Sequence, residues 1–207
     1  MKKFELTSET KINIFGKKLF RIKALISFGN VEAGETGGWV EKEENVNQSG
    51  DAWVYGNAKV YGDAKVSGDA KVSGDAKVSG NAWVYGDAKV SGNAWVSGDA
   101  KVYGDAKVSG DAWVYGNAWV YGNAWVSGDA KVSGNADYTT IQGFGTQFRA
   151  TTFFRCKDKA VRVSCGCFFG TIPEFREQVK NTRKGKIAEE YLMIADLMEK
   201  HFTKEAK

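Results

Sequence analysis

Between Gly50 and Thr139 the chain repeats one six-residue pattern fifteen times, with alanine returning every six residues from Ala52 to Ala136 and valine from Val54 to Val132. The unit is G-[DN]-A-[KW]-V-[SY], as in Gly68-Asp69-Ala70-Lys71-Val72-Ser73. Alanine and valine two apart share one face of a strand, and the Lys or Trp between them points the opposite way. A strand this short, closed by Gly-Asp or Gly-Asn, buries its apolar face only if the chain coils round and stacks on its own previous turn. The pattern therefore predicts a solenoid over residues 50–137, with glycine and Asp or Asn at the corners, where unusual backbone angles are tolerated.

Both flanks break the period. Residues 11–27 read as two apolar strands around the Gly16-Lys17-Lys18 turn, and Val40 to Val46 carries the first hexad spacing. An open solenoid end exposes unpaired strand edges, so residues 1–49 are expected to form a β cap. After Asp137, strands are expected over Gln147–Lys157 and Ala160–Cys167, with a turn at Asp158-Lys159. Thr171-Ile172-Pro173-Glu174 has the form of a capping box with proline in the first turn and starts a helix to Thr182. A second helix, Lys186–Phe202, carries Ile187, Tyr191, Ile194, Ala195, Met198 and Phe202 as one stripe. Residues 138–207 are thus expected to be a small α+β unit of ββαα order.

The order V-x-G-[DN]-A-x resembles the hexapeptide repeat of left-handed parallel β-helices, in which three hexads make one triangular coil. The resemblance implies a mainly β protein of about five left-handed coils. Many such proteins are acyltransferases that use acetyl-CoA or an acyl carrier donor, with a histidine base and a loop protruding from the coils. Here the array holds neither histidine nor inserted loop, and the sole histidine is His201 in the last helix. A diverged acyltransferase is therefore the alternative to a non-enzymatic binding or scaffold protein, for which no cofactor and no metal are expected. The regular Thr-x-Thr plane of ice-binding solenoids is missing. The G-x-x-G-G-W-V segment before the array is similar to the start of uncharacterised bacterial hexapeptide-repeat proteins. Thr151-Thr152-Phe153-Phe154, Cys165-Gly166-Cys167-Phe168 and Gly170-Thr171 resemble a C-terminal module of uncharacterised bacterial, prophage and phage proteins. That similarity implies a mobile-element protein, and with it capture of a host protein or an anionic signalling molecule, as an inhibitor or sponge against bacterial defence.

Charge narrows the partners. The 207-residue chain carries a net +4, and the excess lies outside the repeats, so an extended nucleic-acid surface along the solenoid is disfavoured. No apolar run is long enough for a membrane span, the charged start Met1-Lys2-Lys3-Phe4-Glu5 is unlike a signal peptide, and three cysteines do not suggest a disulfide framework; a cytoplasmic protein is expected. Strand alternation sends Cys156, Cys165 and Cys167 to a core, which with three thiols is short of a structural zinc site.

Two candidate surfaces follow from parity and spacing. Arg149, Phe153, Arg155 and Lys157 share one strand face, and with Arg162 across the hairpin they form a candidate basic site for a phosphorylated, nucleotide-like ligand. Sorting by eighteen residues places Trp83, Tyr85, Tyr103, Trp119 and Tyr121 on the third side of the solenoid, a candidate interface for a homo-oligomer such as a trimer.

Overall fold

The computed structural model describes residues 2–203 and is a mainly β protein built on a three-sided parallel solenoid. Fourteen two-residue strands, β4 (Trp53–Val54) to β17 (Lys131–Val132), coil around an interior of alanine and valine in which every Ala and Val from Ala52 to Val132 is fully buried. Successive coils stack in register at eighteen residues, so that Lys71 pairs with Lys89 and Val72 with Val90. Five strands stack on side one, whose outward residues are Trp53, Lys71, Lys89, Lys107 and Trp125. Side two carries Lys59, Lys77, Trp95, Trp113 and Lys131, and side three carries Lys65, Trp83, Lys101 and Trp119. The corner glycines need their identity: Gly68 has φ +67°, and a Cβ there would lie 2.9 Å from the Gly86 nitrogen of the next coil.

Every coil donates its backbone N–H groups forward, as in Trp53 N–H to Ala70 O at 3.0 Å and Lys71 N–H to Ala88 O at 2.9 Å. The first coil is therefore left with free carbonyls and the last with free N–H groups, and the two caps answer with opposite chemistry. At the start, β3 (Thr36–Val40) and Val46 supply two rungs of a preliminary coil, pairing with Lys59-Val60 and Val66. The offset there is twenty residues rather than eighteen, and the two extra residues fall between Val46 and Val54. They include Gln48, which accepts from Lys3 N and Phe4 N (2.7 and 3.2 Å) and donates to Phe4 O (3.1 Å), tying down β1 (Phe4–Ile12). The remaining carbonyls receive side-chain donors. Lys3 Nζ reaches Gly50 O and Ala52 O (3.1 and 2.9 Å), and Asn45 Nδ2 reaches Gly62 O and Ala64 O (3.0 and 2.8 Å).

β1 forms an antiparallel hairpin with β2 (Lys18–Ala24), which pairs with β3 and extends side two into an eight-stranded sheet. The hairpin begins earlier than the apolar pattern predicted, at Phe4, and its tip leaves Ile12, Ile14 and Phe15 exposed. Trp53, outward on the first rung of side one, is nonetheless fully buried, held edge-on between Phe4 and Phe28.

At the far end the free N–H groups meet acceptors. Trp119 N–H donates to Asn135 Oδ1 (2.8 Å) and Trp125 N–H to Thr152 Oγ1 (3.0 Å). The C-terminal unit is a four-stranded antiparallel meander, β18 (Tyr138–Ile141), β19 (Thr151–Arg155), β20 (Val161–Cys165) and β21 (Phe168–Thr171), followed by α1 (Ile172–Thr182) and α2 (Gly185–Phe202). The expected two strands are four: Tyr138–Ile141 adds one ahead of them, and Gly166, at φ +59°, turns the chain inside the predicted Ala160–Cys167 strand. Thr171 and Glu174 close the predicted capping box. One sheet face, with Phe153 and Val163, packs under the helices on Phe175, Tyr191, Ile194, Met198 and Phe202; the other sends Tyr138, Phe154 and Cys156 into the open end of the solenoid.

Asn45→Ala orphans Gly62 O, Ala64 O and Lys42 N–H in a fully buried position, and should lower unfolding stability by about 2–5 kcal/mol, read as a lower urea midpoint at unchanged slope. Desolvation pushes the Lys3 ammonium down to about 8, and desolvation with the charges of Lys59 and Arg21 does the same to Lys11. Above that pH the folded chain holds fewer protons on these groups than the unfolded chain, so stability should rise from pH 8 toward the ordinary lysine range. A urea midpoint that stays flat over that window, or that rises equally in Lys3→Met/Lys11→Met, contradicts the assignment.

Candidate functional site

The five residues of the expected basic face go to four different places. Phe153 is fully buried, edge-on to Phe175 at 6.0 Å, because the helices cover its side of the sheet. Arg155 lies on that side but turns to the end of α2, where Nη2 donates to Phe202 O at 2.7 Å and Nε lies 3.6 Å from Asp137. Arg162 pairs across the ladder with Phe154, not with Phe153 or Arg155, so it projects to the opposite face and closes on Asp158 at 2.7 Å. Lys157 reaches back over side two, 3.1 Å from Asp111 O and 4.9 Å above the Trp113 ring. The four-cation cluster therefore does not form. Parity sorted β19 correctly, yet both faces of the sheet are covered, so neither is the solvated basic surface expected.

Arg149 is the exception. It lines a trough of about 800 Å³ along side one, walled at the solenoid start by Gly29 and Asn30 and at the far end by Phe148, Arg149 and Gly166. Its floor is the outward ladder of Lys71, Lys89 and Lys107, ending at Trp125, beside a corner ladder of Asp51, Asp69, Asp87 and Asp105 that ends at Asn123. Among the described residues none of these lysines, nor Arg149, has a carboxylate within ion-pair distance. An Asp and a Lys of one hexad, as Asp69 and Lys71, thus balance charge without forming an ion pair. Side one is also the odd corner out. On the other two corners Asn alternates with Asp along much of the column and bonds it, Asn81 Nδ2 to Asp99 at 2.9 Å and Asn93 Nδ2 to Asp111 at 3.0 Å. The uninterrupted acidic column was visible in the sequence at a spacing of eighteen, but the trough needed its two end walls, which come from the caps. Phe148 stands at one of them with φ 49°, two-thirds exposed, a rare combination for an aromatic residue.

The residues expected on side three do come together. Tyr85, Tyr103 and Tyr121 stack in a column with ring centroids 4.9 and 5.3 Å apart, and Trp83 stands edge-on to Tyr85. Lys101 lies between two indoles, 5.6 Å from Trp83 and 4.6 Å from Trp119. Stacking in register thus turns the Lys/Trp choice into cation–π contacts along the axis.

The thiols part company. Cys156 is buried, Cys165 accepts from Thr151 Oγ1 at 3.1 Å, and Cys167 is exposed in the turn rather than in the core. Cys156 brings its sulfur within 4.8 Å of carboxylate oxygens of Asp129 and Asp158. Burial, then the hydrogen bond to Asp129, pushes this thiol up to about 12, and Asp158 is engaged by Arg162. The hydrogen-bonded thiol and the Arg162-paired carboxylate form a knot that, with Lys157 N–H donating to Asp129 O at 3.1 Å, locks the β19–β20 turn to the corner at Asp129.

Fold and trough together define a capped parallel β-solenoid protein. Residues 112–128, one coil of the array, match a family model described as the YdcK beta solenoid repeat. No curated protein matches the chain.

The trough depends on rotational phase. Deleting Gly68 to Tyr85 removes one coil and keeps both walls on side one, because neighbouring coils are joined at eighteen residues. Deleting Gly68 to Ser73 turns the C-terminal wall onto another side. Both variants should fold with similar circular dichroism, and a ligand that spans the trough should be bound by the eighteen-residue deletion alone; equal binding by both would show that the two walls do not act together.

Proposed function

We propose that the chain is a non-enzymatic binding and scaffold protein whose trough captures a nucleotide-like anion. One observation carries this: Lys71, Lys89, Lys107 and Arg149, with no ion-pair partner among the described residues, face the same trough as the exposed rings of Trp125 and Phe148. The cations suit phosphate oxygens, arginine with a planar fork and lysine as a point charge. The aspartate column would repel phosphate but accepts hydrogen bonds from sugar hydroxyls, and the two rings suit a base. A ligand carrying all three groups uses the trough better than a simple anion. The one histidine, His201, is exposed at the end of α2 against Phe202, which favours binding over acyl transfer. Capture of a host-cell anion or protein by a phage-derived protein is the biological setting that the resemblance of the C-terminal module implies.

Calorimetric titration with ATP and with inorganic tripolyphosphate tests the proposal. Lys89→Glu/Lys107→Glu should weaken both by at least about tenfold, since a lost charged hydrogen bond costs about 1.5–3 kcal/mol. Phe148→Ala should weaken ATP alone, by about fivefold to a hundredfold. Absence of ATP binding by the wild type, or unchanged affinity in the charge reversal, rejects the trough as a nucleotide site.

A further inference from the structure

We propose that side three is the interface of a two-fold dimer in which two solenoids lie antiparallel. The outward column of this side alternates rung by rung, Lys65, Trp83, Lys101, Trp119, and its corner column alternates in step, Asp63, Asn81, Asp99, Asn117. A dyad perpendicular to the solenoid axis, passing between the Trp83 and Lys101 rungs, reverses both columns onto themselves. Lys65 then faces Trp119 of the partner subunit, and Trp83 faces Lys101 of the partner subunit. Asp63 meets Asn117 of the partner subunit, and Asn81 meets Asp99 of the partner subunit. Each cation meets an aromatic ring and each carboxylate an amide. Asn81 already gives one N–H to Asp99 of its own chain, leaving it a second N–H and the carboxylate a second oxygen for the partner.

Other arrangements lose this match. A dyad parallel to the axis sets Lys65 on Lys65 and Lys101 on Lys101, and a slip of one rung sets lysine on lysine again. On side one any antiparallel pairing of the central rungs opposes Lys71, Lys89 and Lys107 to one another and aspartate to aspartate. Side two is occupied: Phe15 of the hairpin tip packs near Tyr61 and Trp95, at 6.2 and 6.4 Å, and Lys157 sits on Trp113. Side three keeps Trp83, Trp119 and Tyr121 at 45%, 42% and 52% exposure, a concentration of large rings that suits an interface. The second copy is the occupant that charge complementarity selects.

Sedimentation velocity over the micromolar range should show the wild type at twice the mass of the chain. Asn81→Asp sets a carboxylate against Asp99 of the partner subunit and should raise the dissociation constant at least about tenfold. The exchange Asn81→Asp/Asp99→Asn restores the carboxylate–amide pair and should restore the dimer. Folding is not at stake in these variants, since side one already stacks four aspartates at one corner; far-ultraviolet circular dichroism checks this. A monomer or a trimer for the wild type, an unchanged dimer for Asn81→Asp, or an exchange variant that stays dissociated overturns the proposal. None of these changes touches the trough, so ATP binding is read independently.

Discussion

The forward direction of the inter-coil hydrogen bonds is the constraint on which the rest of the molecule depends. Because each N–H donates to the next coil, the solenoid has one end rich in bare carbonyls and one rich in bare N–H groups, and no single capping device suits both. The N-terminal cap meets carbonyls with an ammonium and an amide, Lys3 and Asn45, while the C-terminal cap meets N–H groups with oxygens, Asn135 and Thr152. Apolar plugs then fill what the hydrogen bonds frame, Phe4 and Trp53 at one end, Phe154 and Tyr138 at the other.

Stacking in register has a second consequence: any residue at an outward position meets its own kind, or its alternate, about 4.8 Å away. The chain uses this differently on each side. Side three alternates Lys with Trp and Asp with Asn, so neighbours attract; side one lets lysines stack on lysines and aspartates on aspartates. Such like-charge columns oppose folding modestly when exposed, because water screens them. The longest such columns, three lysines and four aspartates, lie on the side that both caps wall off.

The caps therefore do more than terminate the solenoid. The hairpin tip and Lys157 take side two, the loops at Asn30 and Phe148 bound side one, and side three keeps its exposed rings. Which side does what is decided by where two non-repeating segments land on a nearly symmetric prism. The coils hold those segments at a set distance and phase, and this fixes where the walls of the trough stand.

Much of the architecture was legible in the sequence because a strict period leaves few solutions: Ala and Val two apart within six residues demand a coil, the Val40–Val46 spacing announced the preliminary rung, and Thr171-Ile172-Pro173-Glu174 marked the start of α1. The tyrosine column followed from counting eighteens. What the periodicity could not reveal was set by contacts between segments distant in the chain. Phe153 and Arg155 share a strand face as parity required, but only docking of the helices decided that this face is buried. Arg162 needed the hairpin register to be sent to the other side. The trough exists because Gly29 and Arg149, 120 residues apart in sequence, fall on the same side of the prism. Local pattern specifies which way a side chain leaves its strand; only packing of the finished fold decides whether solvent, core or a ligand site waits there.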